Sequence, residues 1–128
     1  MNICFYSSFL FIIPVILALI TGTNYVATTS TLCLITSVCN HYYENNNIYA
    51  LYTDIVVVRT IALSHIIYAL YKFGVSNIFI VLVYLFFILS IKIYLDIHTY
   101  DLYEYHYLIH YTSVCGIIFY IFAMHYYS

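Results

Sequence analysis

Charge is what this chain lacks most. Asp, Glu, Lys and Arg together make up 6% of its 128 residues, against about a quarter in ordinary soluble domains. Only three residues are Lys or Arg, too few to form the basic footprint that nucleic-acid binding needs. One proline and three glycines are present. No stretch reads as a Pro/Ser linker and no internal repeat divides the chain, so a single unit, 1–128, is expected. The four cysteines, Cys4, Cys33, Cys39 and Cys115, form no CxxC pair and lie in or beside apolar segments. Burial among apolar neighbours is a sufficient account of them, and they report no redox compartment.

What is present instead is apolar. Hydrophobic residues make up 66% of the chain and the mean hydropathy is +0.98, which points to a multi-pass integral membrane protein. The wealth of Tyr, Ile and Asn is what an AT-rich coding sequence produces, so single tyrosines carry little functional weight. Apolar runs broken by short polar stretches predict five transmembrane helices, at approximately 3–20, 25–41, 48–71, 77–95 and 104–127. Each approaches the ~20 residues needed to cross a hydrocarbon core. An all-α polytopic bundle is therefore expected, since only helices satisfy their own backbone there and no run alternates as a barrel strand does. The first run has the apolar character of a signal peptide, but it has no positive n-region and a long apolar stretch, so it is read as a span. The second run is rich in Thr and Ser. Polar residues of that kind face neighbouring helices, which predicts a packed interior helix.

Threading the helices in order places most of the polar chemistry on one side. His41 closes the second helix, Asp54 lies near the start of the third, and His106 and His110 open the fifth. Lys72 falls on the opposite side, and the loops near the histidines are acidic. The positive-inside rule then favours a non-cytoplasmic position for the histidine side, on the strength of one lysine.

Residues four apart on a helix share a face, with side-chain roots about 6 Å apart. His106 and His110 are thus able to grip one metal ion from a single helix, with His41 as a third ligand. Three nitrogen ligands leave a fourth position for water, the arrangement of catalytic zinc sites. Zn2+ is the expected cofactor. Asp54 would orient the water and move its proton, and Ser37, one turn before His41, would hydrogen-bond the water or a developing oxyanion. The plainer reading is that these are interfacial histidines among tyrosines, because six histidines produce such a pair by chance often enough. Two further alternatives stay open: a non-enzymatic small membrane protein, either scaffold or proton or cation pore lined by His and Asp, and haem ligation by histidines from two helices. Arg59, five positions after Asp54, points away around the helix and is read as packed or snorkelling. His65 is expected to be a satisfied interior histidine, and His98 and His125 to be interfacial. Cys39 points away from His41 and is not a ligand.

Three stretches carry a resemblance: Ser37-Val38-Cys39-Asn40-His41, Tyr52-Thr53-Asp54-Ile55 and His106-Tyr107-Leu108-Ile109-His110. Ser-x-x-x-His ending one helix, Asp opening the next and His-x-x-x-His opening the last resembles the signature of the CREST superfamily of alkaline ceramidases, adiponectin and progestin receptors and related membrane hydrolases. The resemblance implies a zinc site of His41, His106 and His110, with Asp54 and Ser37 around the metal-bound water. It also implies hydrolysis of a lipid amide within the membrane, with a ceramide-like lipid as substrate. The family has seven spans, three of them between the Asp helix and the last. This chain has one there, a loss of one hairpin that preserves the side on which His106 and His110 arrive. A homo-oligomer is a plausible means of replacing the missing walls.

Overall fold

The computed structural model describes residues 3–44 and 46–127, the side chain of Tyr127 excepted. They form an all-helical bundle with no strand among them: α1 (Ile3–Ser8), a 3-10 turn (Phe9–Phe11), α2 (Ile12–Thr21), α3 (Asn24–Tyr42), α4 (Ile48–Lys72), α5 (Ile78–Tyr100), a second 3-10 turn (Tyr103–Tyr105) and α6 (Tyr107–Tyr127). Together α1, the turn and α2 make one rod, so the five predicted helices are present. α5 runs five residues past its expected end at 95. Four rods are long and apolar enough to cross a membrane: Ile3–Thr21, Ile48–Lys72, Ile78–Tyr100 and Tyr103–Tyr126.

The break in the first rod has a covalent cause. Pro14 has no N–H to offer the carbonyl of Leu10, and its ring crowds that same carbonyl. The chain tightens to 3-10 geometry over Phe9–Phe11, where the N–H of Ile12 reaches the carbonyl of Phe9. Elsewhere the helix ends follow local chemistry. Asn47 caps α4 by accepting from the N–H groups of Tyr49 and Ala50, and Asn77 caps α5 through Ile80. Gly22 ends α2 in the left-handed region at φ 74°, a conformation that glycine adopts without a Cβ clash.

α3 is the exception to the apolar rule and sits inside the bundle, where Thr29, Ser30, Ser37, Asn40 and His41 are all buried. Three of its threonines are satisfied within the helix, Thr28, Thr31 and Thr36 each donating to the carbonyl four residues back. α4 packs mainly on α3, and α5 mainly on α6. One core, built from Ala18, Val26, Ala69, Phe73, Ile80, Tyr120 and Ile121 with their neighbours, gathers the end of the bundle where α4 turns into α5. A smaller cluster of Phe11, Cys33 and Val114 lies between that core and the opposite end.

Candidate metal centre

At that opposite end the bundle is held by imidazoles. His41 comes from the last turn of α3. His110 lies in the first turn of α6, and His106 stands one residue before that helix with helical angles of φ −56° and ψ −30°. The four-residue geometry of the pair therefore holds, and the carbonyl of His106 accepts from the N–H of Ile109. The ring centroids are 5.1 Å apart for His41 and His106, 4.9 Å for His41 and His110, and 5.3 Å for His106 and His110. One nitrogen from each ring lies within 4.8 Å of the other two, so the three residues are able to hold a metal ion. Nitrogens bound tetrahedrally to one ion at about 2.1 Å lie about 3.4 Å apart. The widest pair thus has to close by about 1.4 Å, within the reach of small side-chain rotations.

Proton accounting shows which lone pairs face the centre. The Ser7 and Ser8 hydroxyls both donate to the carbonyl of Cys4, at 3.1 and 2.8 Å. Ser7 Oγ is then left to accept from His110 Nδ1–H, 2.6 Å away, which makes Nε2 the unprotonated nitrogen. Ser8 Oγ, its own proton spent, accepts from Ser37 at 2.9 Å. Ser37 Oγ and His110 Nε2 therefore stand 3.3 Å apart with lone pairs toward each other. That placement is unfavourable for two neutral groups alone and suits a cation. A ligand histidine whose other N–H is held by an outer partner is a recurrent feature of metal sites.

Unpaired polar atoms concentrate at the same place. Of six buried side-chain N and O atoms that lack a hydrogen-bond partner among the described residues, three are His41 Nε2, Asp54 Oδ1 and Asn40 Oδ1. Each such group costs about 1–3 kcal/mol when nothing binds it. Asp54 Oδ2 accepts from Asn40 Nδ2 at 3.3 Å, so α3 holds the carboxylate on α4. A cavity of about 510 Å3 adjoins the centre, with Ser37, Asp54, His106 and His110 at its polar end and Val58, Phe87, Ile91 and Ile109 among its apolar walls. Its outer rim carries the exposed side chains of Leu63, Ile91 and Leu95, so it opens sideways between α4 and α5.

All five residues singled out in the sequence meet here: three imidazoles, and Ser37 and Asp54 on the wall of the adjoining cavity. Three more belong to the site and were not anticipated, namely Ser7, Ser8 and Asn40. Ser7 and Ser8 are the only polar side chains between Cys4 and Pro14 apart from Tyr6, which was the available signal. The other histidines lie elsewhere. His65 is buried, bonded through Nε2 to Thr29 Oγ1 at 3.1 Å, and stacked on Tyr120 with centroids 4.8 Å apart. His98 is exposed against Tyr94 and Tyr103, and His125 is exposed beside Tyr126. Cys39 is exposed, away from the centre. Arg59 donates to Tyr94 Oη at 2.7 Å.

The chain matches no model of a known protein family, no curated protein and no solved structure.

Proposed function

We propose that the chain is a multi-pass integral membrane protein and a zinc-dependent hydrolase, resembling the alkaline ceramidases, that cleaves the amide bond of a membrane lipid such as a ceramide. The observation that carries this reading is three imidazole nitrogens within 4.8 Å of one another beside a laterally open cavity that also contains Asp54 and Ser37. Nitrogen ligands favour zinc over the hard, oxygen-seeking cations, and three of them leave a position free. Bound there, zinc would supply Lewis acidity and bring the pKa of a water to about 7.

The chain's own groups account for the remaining chemistry. His110 is held in the required tautomer by Ser7. Asp54, steadied by Asn40 through Oδ2, keeps Oδ1 free to take a proton from water as oxygen attacks the amide carbon. The same carboxyl then delivers that proton to the amine nitrogen as the C–N bond breaks, giving a fatty acid and an amine. Ser37 Oγ, its proton given to Ser8 and its lone pair turned to the centre, would accept a hydrogen bond from the attacking water. The sideways opening suits a substrate that stays in the bilayer, whereas a pore would need an axial path.

The direct test is release of fatty acid from a fluorescent short-chain ceramide by the purified protein in nanodiscs. Hydrolysis is expected with zinc, lost after chelation, restored on adding zinc back, and absent in Asp54→Asn even with zinc bound. Zinc-loaded protein that hydrolyses no N-acyl lipid would refute the proposal.

A further inference from the structure

α4 carries the chain's single arginine in its middle. Arg59 comes eleven residues after Ile48 in a 25-residue helix, about 16 Å from one end and about 20 Å from the other at 1.5 Å per residue. Neither end is within reach of an arginine side chain, so snorkelling does not return the charge to water. A guanidinium at that depth is costly and marks a site unless an anion compensates it. Among the described residues none does: the only ion pair is Lys92 with Asp96. Asp54 lines the same cavity, but its carboxylate is turned to Asn40 on α3. Arg59 faces the other way, donating to Tyr94 Oη on α5 and lying over that ring at 5.3 Å. One N–H of five is spent, and the fork is left exposed on the rim of the 510 Å3 cavity.

We propose that Arg59 is the anion-binding residue of a lipid site between α4 and α5, and that its ligand is a single-chain fatty carboxylate. The apolar walls take the chain, and the fork takes the carboxylate in a two-point contact. A carboxylate fits better than a phosphate for two reasons. One guanidinium balances one charge, and a carboxyl group is able to travel to this depth neutral, by carrying its proton, where a phosphate headgroup is not. Tyr94 holds the guanidinium over the opening until the anion arrives. Binding here needs no hydrolysis and stands whether or not the metal-dependent reading is correct.

The test is displacement of a fluorescent fatty acid by oleate from the full-length protein in zwitterionic nanodiscs. Wild type should bind alike before and after its metal is removed by a chelator, which separates this site from the metal centre. Arg59→Gln should weaken oleate at least about tenfold, the scale of a lost charge-assisted pair. Arg59→Lys should recover part of that loss, because it keeps the charge without the fork. Arg59→Gln should keep the helix content and melting temperature of wild type, which controls for damage to the fold. Oleyl alcohol should bind weakly and without distinguishing wild type from Arg59→Gln. Equal oleate affinity in wild type and Arg59→Gln would overturn the proposal. So would oleyl alcohol binding as tightly as oleate, and so would an oleoyl lysophosphatidic acid that competes better than oleate, since the site would then be one for phosphate.

Discussion

Which nitrogen of a buried neutral imidazole offers its lone pair to a cation is set by what engages the other, and Ser7 does this for His110. The contact is 2.6 Å long and Ser7 is buried, so water does not readily replace the lost acceptor. Ser7→Ala is expected to lower metal affinity by about 10–100-fold, the usual effect of removing an outer partner of a metal ligand, with helix content unchanged. Competition with a chromogenic chelator reads this directly. Asp54→Asn should behave in the opposite way, retaining metal while losing hydrolysis. Of the five residues named from sequence, His41, Asp54, His106 and His110 were legible because histidine and aspartate are rare and costly in apolar runs, and Ser37 through its place one turn before His41. Ser7 and Ser8 were not, because a serine hydroxyl in a helix satisfies itself on a carbonyl a turn back, as both do on Cys4. Nothing in their spacing says that an oxygen also faces His110. His65 is a contrasting case. Its partners are Thr29 and the stacked ring of Tyr120, so His65→Ala should cost about 3 kcal/mol of stability, the scale of a truncated buried ring, and leave metal occupancy intact.

The first rod shows how an element aims its side chains. An α-helix advances about 100° per residue and a 3-10 helix about 120°, so three residues of tighter turn rotate what precedes them by about 60°. Phe9–Phe11 is that turn, and α1 with Ser7 and Ser8 lies before it. Pro14→Ala removes the cause of the break and should let the rod run on as a regular helix, swinging both serines off His110 and Ser37. The expected outcome is a thermal midpoint equal to or above wild type, with metal affinity reduced, measured by a melt and a chelator titration on one preparation. The proline stood in the middle of the expected 3–20 helix, where its missing N–H predicts a kink or break, but nothing in the residues around it indicated that the break takes the form of a 3-10 turn over Phe9–Phe11. α3 was more legible. Its Thr and Ser content predicted a packed interior helix, and the structure buries that face while excluding it from the four rods apolar enough to cross a membrane. The five-residue extension of α5 beyond 95 was missed because Asp96, His98 and Asp101 read as a loop. Lys92 pairs with Asp96 one turn on, and Asp101 supplies the left-handed stop at φ 55°.

At the scale of the whole molecule, the bundle is tied at one end by apolar packing and at the other by polar side chains. The core around Ala69, Phe73, Ile80 and Tyr120 is held by apolar packing, with Tyr120 Oη and Asn77 Nδ2 as unpaired buried polar atoms at that end. The opposite end leaves three buried polar atoms without partners and opens between α4 and α5, in the part of the chain where the CREST resemblance implies two more helices. Binding at the polar end therefore belongs to the folded state alone, and a ligand present at a hundred times its dissociation constant adds about 2.7 kcal/mol. Thermal melts should accordingly rise with added zinc in the wild type and not in a variant lacking the histidines. The same threading predicts a topology: labels placed at Asn46 and Asp101 should react from one side of the membrane and a label at Val75 from the other. The most direct measurement of the central claim is metal content of the purified protein, wild type beside His106→Ala/His110→Ala. About one zinc per chain in the wild type, lost in the variant, is the predicted result. A wild type that takes up no metal, or a variant that retains as much as the wild type, would contradict it.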